Sequence, residues 1–332
     1  MIHKLYYLIT DCTRPFRNLA VEEQLLWNVK RGECVLYLWR NQNTVVIGRN
    51  QNAWQECRVR ELEDSGGHLV RRLSGGGAVY HDLGNLNFTF LVREEDYDVL
   101  RQASVILDAV RGLGLDAGLS GRNDAEINGR KFSGSAYYKT KGRCCHHGTL
   151  LVSADMSDLS RYLNVSGTKL ARRGVGSVRS RVVNLREYCP ELTTSELSGR
   201  IIDSFGKVYG LVPEAMDEKD LDAAAIDAGE KRFSNWEWRF GAAAPFEDSA
   251  PYRFDWGEGA LELEIGSGIV KNVRLWSDSL EADLISSVPD VLRGCRYDLH
   301  ELCRRLEGIK TENDTQRRIL SDLAGLLTRR FP

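Results

Sequence analysis

Three stretches of the chain gather residue types that can do chemistry. The first, Arg71–Phe90, reads "RRLSGGGAVYHDLGNLNFTF". Its three consecutive glycines stand between strand-like segments, with two arginines before them and a His-Asp pair after. A P-loop needs a strand, then GxxxxGK and Ser or Thr, then a helix; a dinucleotide fingerprint needs GxGxxG opening a helix. Neither pattern is present. What remains is a strand–loop–strand turn whose missing Cβ atoms let a ligand lie on the backbone. Its N–H groups can form an anion-binding concavity. Arg71 and Arg72 alternate across a strand, so one faces that ligand and can grip a carboxylate or phosphate through two parallel hydrogen bonds. By themselves the glycines read more simply as a tight hairpin with a surface arginine pair.

The second stretch, Gly121–Leu150, is "GRNDAEINGRKFSGSAYYKTKGRCCHHGTL". Asn123 and Asp124 precede a strand, and Asp124 is a candidate magnesium ligand. Lys131 begins the next strand, followed by the small residues Ser133, Gly134 and Ser135, which suit close approach of a flat or phosphorylated ligand. A β-hairpin with a solvated lysine is the plainer account of the same residues. Cys144, Cys145, His146 and His147 suggest a metal cluster, but strand side chains alternate, so at most two converge, and structural zinc needs wider spacing. The third stretch, "NVSGTKLARRGVGSVRSRVVN" (164–184), is basic and glycine-spaced, as binding loops and lids often are. A solvated surface loop fits it equally well.

These segments need a scaffold. Helical spacing predicts a helix over Asn18–Asn28, capped by Asn18. Strands are expected at 35–39 and 44–48, then as another pair at 68–73 and 85–92. In the last of these, Leu86, Phe88, Phe90 and Val92 form one buried face. A helix over 97–112, strands at 131–138 and 147–152, and a helix over 195–209 stopped by Gly210 follow. The run "AAAPFEDSAP" (242–251) reads as a linker, after which strands at 261–265 and 269–276 precede two or three amphipathic helices. The expected organisation is a large α+β domain over 1–245 and a small α+β domain over 252–332.

The chain has 332 residues and a net charge of -2, so no basic field favours nucleic acid. No apolar run is long enough to span a membrane, and no signal peptide is recognisable. The eight cysteines are scattered without CxxC spacing, the pattern of reduced thiols in a cytoplasmic protein.

Together, "RRLSGGGAVYHDLGNLNFTF", "GRNDAEINGRKFSGSAY", "HHGTLL" and "GVGSVRSRVVNL" closely resemble the lipoate–protein ligases. The match extends to Phe16–Glu23, to "VLYLWRNQNTVVIGRNQNAWQEC" and to "NWEWRFG", and so covers essentially the whole chain. The resemblance implies a biotin/lipoate-ligase-like catalytic domain with mixed β-sheets and packed helices, plus a small C-terminal accessory domain. It implies that ATP and lipoate give lipoyl-AMP and pyrophosphate, and that the lipoyl group passes to a lysine ε-amine. The implied acceptors are lipoyl domains of 2-oxoacid dehydrogenase complexes and the glycine-cleavage H protein. Magnesium serves the ATP, and the enzyme is expected to be a monomer without nucleic-acid or membrane partners.

By the same resemblance, Lys131 is the catalytic lysine that contacts the lipoyl carbonyl and the phosphate. Arg72, Gly77, Ala78, Val79, Tyr80, Asn123, Lys131 and Arg179 would bind ATP, and Lys169–Asn184 would be the adenylate-binding loop. Lys131, Arg72, Ser74, Gly75, Gly76, His147 and Gly148 would bind lipoate, and Asp124 the metal. Phe88 and Phe90 are expected to wall the lipoyl slot, and His81 and His147 to shape the loop by hydrogen bonding. Phe132 departs from the smaller aliphatic residue common at its position. Two other functions remain open: a transferase using a preactivated donor, with Cys144 or Cys145 as nucleophile, and a non-catalytic cofactor-binding relative.

Overall fold

The alternation in "NLNFTFLVR" makes Asn85–Arg93 (β6) a strand with two dissimilar faces. Every residue from Asn85 to Val92 is buried, so both faces are covered. β6 stands at the centre of an eight-stranded sheet ordered β11-β1-β2-β6-β10-β9-β8-β7. The other strands are β1 (Lys4–Ile9), β2 (Glu33–Trp39), β7 (Ala117–Ser120), β8 (Asp124–Ile127), β9 (Arg130–Thr140), β10 (Arg143–Leu151) and β11 (Pro213–Ala215). β1 runs parallel to β2 and β11, and the remaining pairs are antiparallel. A second sheet, ordered β4-β3-β5, comprises β3 (Thr44–Ile47), β4 (His68–Arg71) and β5 (Val79–His81).

The structure, a computed structural model, describes the chain except at positions 50, 122, 165–181, 242–245, 278, 280 and 331–332. It divides into two units: Met1–Arg49 with Glu56–Asn235, and Asn50–Gln55 with Trp236–Pro332. In the first unit, the core joins one sheet face to the helices Val99–Arg111 and Thr194–Tyr209. Leu36, Leu38, Phe88, Phe90 and Cys144 belong to it, and Phe90 meets Phe205 with ring centroids 5.7 Å apart. Phe132 is buried in the same core rather than facing a ligand. Two capping residues set the helix starts: Asp98 accepts from Arg101 N, and Thr193 from Glu196 N. Gly210, at φ 67, ends the second helix in the left-handed conformation.

Three sequence expectations need correction. The first helix begins at Pro15, not at an Asn18 cap. Proline at the first helical position loses no intrahelical bond. Asn18 is instead buried inside the helix, donating to Arg40 O at 2.9 Å and Cys12 O at 3.0 Å. Next, 68–73 and 85–92 do not pair. β4 and β5 flank β3, parallel and antiparallel respectively, so the glycine loop bridges across a central strand rather than closing a hairpin. Last, most of the expected linker is a strand, Phe246–Phe254 (β12), which pairs with β13 (Gly257–Gly266). β12 is an edge strand, where Pro251 can lack an N–H without breaking the ladder. Together with β14 (Ile269–Ser277) and the helices Ala282–Leu292, Leu299–Glu307 and Asp314–Arg330, these strands form most of the second unit. There Trp54 stacks on Phe240 at 5.1 Å and meets Tyr297 edge-on at 5.0 Å.

His146 sits on the core face of β10 between Phe88, Phe90 and Tyr137, bonded through Nδ1 to Gln102 Oε1 (3.0 Å) and through Nε2 to Ser135 Oγ (3.1 Å). Burial lowers its pKa from an ordinary 6.5 to about 3. The unfolded chain therefore takes up a proton that the folded chain rejects, and stability present above pH 6.5 is lost as pH falls toward 3. His146→Gln should flatten the pH dependence of unfolding free energy by up to ~1.4 kcal/mol per pH unit in that window. Urea titrations of both proteins at successive pH values check this; parallel slopes would refute it.

Candidate active site

The sheet register carries the alternation of β6 sideways. Trp39 lies opposite Asn87, Asn87 opposite Thr149, Thr149 opposite Gly134, and Gly134 opposite Asp124. The adjacent row on the same face is Tyr37, Thr89, His147 and Ala136. These rows floor a cavity of about 660 Å³, whose lining includes Trp39, Asn87, Thr149, Gly134, Asp124, His147 and Ala136. That volume lies within the range of small-molecule sites. Val46, Gly76–His81 and Arg72 line it from the second sheet and its glycine loop.

Phe88 and Phe90 do not wall this cavity; they point to the opposite face, into the core. The alternation that buries them turns Asn85, Asn87 and Thr89 the other way, buried at 0%, 2% and 0% exposure. Asn85 and Asn87 line the cavity, and sequence reasoning did not single them out. The signal was available: polar residues interleave with the aromatics of a strand too apolar for a surface position. Asn85 Oδ1 and Asn87 Nδ2 are buried without a protein partner. So is Nε2 of His81, another lining residue. His81 Nδ1 accepts from Asn41 Nδ2 at 3.3 Å, which places the proton on Nε2. Burial holds this imidazole neutral, with its pKa lowered to about 3.

Lys131 Nζ lies 2.7 Å from Asp124 Oδ1, with the two side chains 35% and 28% exposed. Gly134 makes room for this pair, because a Cβ there would fall 2.7 Å from Lys131 Nζ. Lys131 O accepts from Val183 N at 2.8 Å, which fixes the chain leaving the third sequence stretch beside the lysine. Asn123 also lines the cavity, and its Nδ2 donates to Ser135 O at 2.8 Å. Arg179 lies outside the described residues, as does 169–181 of the expected adenylate loop.

Of the two arginines, Arg71 is buried at 1% exposure and donates to Gly48 O and Arg49 O. Arg72 faces the cavity. Its guanidinium donates to Val46 O (3.1 Å), Gly75 O (2.6 Å), Gly77 O (2.9 Å) and Ser74 Oγ (2.9 Å). Burial lowers its pKa to about 10, so it remains a cation at neutral pH. Gly76 is required by its φ of +94 and by Arg72 Nη2, which would lie 2.8 Å from an added Cβ. Nothing stands within 4 Å of a Cβ built on Gly75 or Gly77, so the backbone there is bare. Ala78, Val79 and Tyr80 continue the wall, the Tyr80 hydroxyl donating to Asn43 Oδ1 at 3.2 Å. Ser74 and Gly75 are not among the lining residues, whereas His147 and Gly148 are. At Gly148 a Cβ would strike the Phe88 ring at 2.5 Å.

Asp124 fits a magnesium ion as a single cavity-edge carboxylate, the usual protein share when phosphates supply the other ligands. Glu22, Cys145 and His147 bring donor atoms within 4.8 Å of one another. They fit a metal poorly, because hydrogen bonds occupy Glu22 Oε1 and both nitrogens of His147 and burial holds the Cys145 thiol well above its usual pKa.

Known proteins resemble this chain over most of its length. Residues 14–206 match the family model of the lipoyl protein ligase A/B catalytic domain, and 244–327 that of the bacterial lipoate protein ligase C-terminus. The chain is 40% identical over 307 residues to lipoate-protein ligase A of Psychrobacter cryohalolentis, covering 90% of this chain and 91% of that protein. The crystal structure of P. falciparum LipL1 in complex with lipoate is 26% identical, covers 98% of this chain and 99% of that one, and has a TM-score of 0.64. A lipoate-protein ligase A bound with ATP is 28% identical, covers 73% and 100%, and has a TM-score of 0.62. A bipartite ligase from Thermoplasma acidophilum, studied with its E2 lipoyl domain, is 29% identical, covers 72% and 97%, and has a TM-score of 0.64.

Gly134→Ala tests the seat of the lysine. The added methyl displaces only the flexible end of Lys131. The thermal midpoint should stay within a few degrees while turnover falls about tenfold or more. A variant with normal turnover would show that the ammonium position is immaterial.

Proposed function

The chain belongs to the lipoate–protein ligases, enzymes that activate lipoate with ATP and transfer the lipoyl group to protein, and we propose that Lys131, the glycine loop and Asp124 carry that reaction here. The observation behind this reading is the Lys131–Asp124 pair, seated over Gly134 at a cavity whose opposite wall is bare glycine backbone.

In the first step a lipoate carboxylate oxygen attacks the α-phosphorus of ATP. An O–P bond forms, the bond to the bridging α,β-oxygen breaks, and pyrophosphate leaves. Two anions must meet, so fixed positive charge lowers the barrier most where charge concentrates. Among the described residues, Lys131 is a part-exposed cation at the cavity. Its half-exposed pair with Asp124 is a weak interaction, on the order of 0–1 kcal/mol, and can be exchanged for phosphate oxygens. Arg72 adds fixed charge and gives the loop its shape. Asp124 would hold magnesium, which neutralises phosphate charge when bound. Asn85, Asn87 and His81 give the cavity lining a polar character.

In the second step a neutral lysine amine of the acceptor attacks the acyl carbonyl. A C–N bond forms, the bond to the AMP oxygen breaks, and the amine gives up its proton. Lys131, facing both the carbonyl and the phosphate, stabilises the oxyanion and the leaving AMP. We take the acceptors to be lipoyl domains of 2-oxoacid dehydrogenase complexes and the glycine-cleavage H protein. Among the described residues no helix is long and apolar enough to cross a membrane.

A cysteine nucleophile is disfavoured physically. Cys144 is buried in the core, and burial raises the pKa of both thiols, which keeps them protonated. Cys145→Ala should retain lipoylation within about threefold; abolished transfer with intact folding would restore the thiol route.

The direct experiment is mass spectrometry of a recombinant lipoyl domain incubated with enzyme, ATP, magnesium and lipoate. The expected product is the acceptor plus one lipoyl group, absent without ATP. Lys131→Ala should fold normally and lose at least ~100-fold in pyrophosphate release. Near-normal activity of that variant would remove the lysine from the chemistry.

A further inference from the structure

Behind the cavity wall, a chain of hydrogen bonds starts at a group that can only donate and ends at one that can only accept. Arg72 Nε donates to Ser74 Oγ at 2.9 Å. Ser74 Oγ lies 2.7 Å from His147 Nε2, and His147 Nδ1 lies 2.8 Å from Glu22 Oε1. A second branch reaches the same oxygen: Trp39 Nε1 donates to Thr89 Oγ1 at 3.2 Å, and Thr89 Oγ1 donates to Glu22 Oε1 at 2.7 Å. A guanidinium has no acceptor and an ionised carboxylate no donor, so the two end links are set: Arg72 Nε donates to Ser74 Oγ, and His147 Nδ1 donates to Glu22 Oε1. Between them the Ser74 hydroxyl bridges Arg72 and His147 Nε2, with Gly75 O also within its reach at 3.4 Å.

Both ends of this chain are nearly inaccessible to water: Arg72 is 6% exposed, Ser74 0% and Glu22 3%. A buried carboxylate is costly unless it is hydrogen-bonded, and here an imidazole and a hydroxyl both bond its Oε1. At the other end, the same guanidinium holds Gly75 O and Gly77 O, so its angle sets the curvature of the loop. Glu22 and Ser74 do not line the cavity.

We infer that Glu22, His147 and Ser74 are positioning residues for the nucleotide: through this chain they lock Arg72, and with it the bare glycine backbone, instead of serving as lipoate contacts. The inference rests on the proposed ATP-binding role of the loop. It reassigns Ser74 and His147 from the acyl half of the site to the nucleotide half, and adds Glu22, a residue on the helix Pro15–Asn28, to the machinery.

Steady-state pyrophosphate release by the full-length enzyme, with ATP and lipoate varied separately, tests this. Ser74→Ala removes one oxygen, and Glu22→Gln removes a charge while keeping shape. Each should raise KM for ATP about tenfold, the effect of losing one well-made hydrogen bond, and leave KM for lipoate within about twofold. Because the links act as one unit, the double variant should be no worse than the worse single one. A rise in KM for lipoate with KM for ATP unmoved would overturn the inference, as would multiplying effects in the double variant or variants indistinguishable from the parent. Should Glu22→Gln fail to fold, Ser74→Ala decides alone on the two KM values. A parent enzyme that releases no pyrophosphate from ATP would instead sink the proposed function, so the two failures are distinguishable.

Discussion

The site depends on one constraint: a strand shows alternate side chains to opposite faces, and the central strands of the large sheet are covered on both. β6 therefore keeps two ledgers of residues. Leu86, Phe88, Phe90 and Val92 serve the dry core, while Asn85, Asn87 and Thr89 are buried on the ligand side. A one-residue slip in register would exchange them, placing asparagines against the core helices and phenylalanines in the cavity. The core face therefore does more than stabilise the domain. Its apolar packing fixes the register that sets Trp39, Asn87, Thr149, Gly134 and Asp124 in one row.

On that floor the charged groups are arranged by mobility. Arg72 is a buried cation with its donors committed to carbonyls and a hydroxyl, so it acts chiefly through the shape it imposes on the loop. Lys131 is part-exposed, held by one carboxylate and seated over a glycine, so it can follow charge as the reaction moves it. Fixed donors suit binding a phosphate of constant position; a flexible ammonium suits a reaction whose negative charge migrates from carboxylate to phosphate to carbonyl. The neutral His81 and the amides of Asn85 and Asn87 make the cavity lining polar without adding net charge.

Much of the scaffold was legible in the sequence because it rests on local signals. The alternation of 85–92, the glycine after the helix at 194–209 and the amphipathic helices near the C-terminus appear nearly where periodicity put them. Misreadings arose where a local signal has two meanings. Asn18 looks like a cap, yet Pro15 starts the helix and the amide is spent on a loop. Two prolines in 242–251 suggest a linker, yet at a sheet edge a missing N–H is harmless. The glycine triplet between strands suggests a hairpin, yet the flanking strands share a third partner.

The sequence by itself determined the residue types: bare backbone beside arginines, a lysine amid small residues, and a polar row hidden within an aromatic strand. Those follow from composition and spacing, which need no knowledge of distant neighbours. Only the tertiary structure decided which arginine faces the cavity, that Phe88 and Phe90 do not, and that Glu22 is tied to Arg72 through Ser74 and His147. The reason is physical: hydrogen bonds and burial depend on which strands become neighbours, and residues 22, 74 and 147 meet only once the helix, the loop and the sheet have packed.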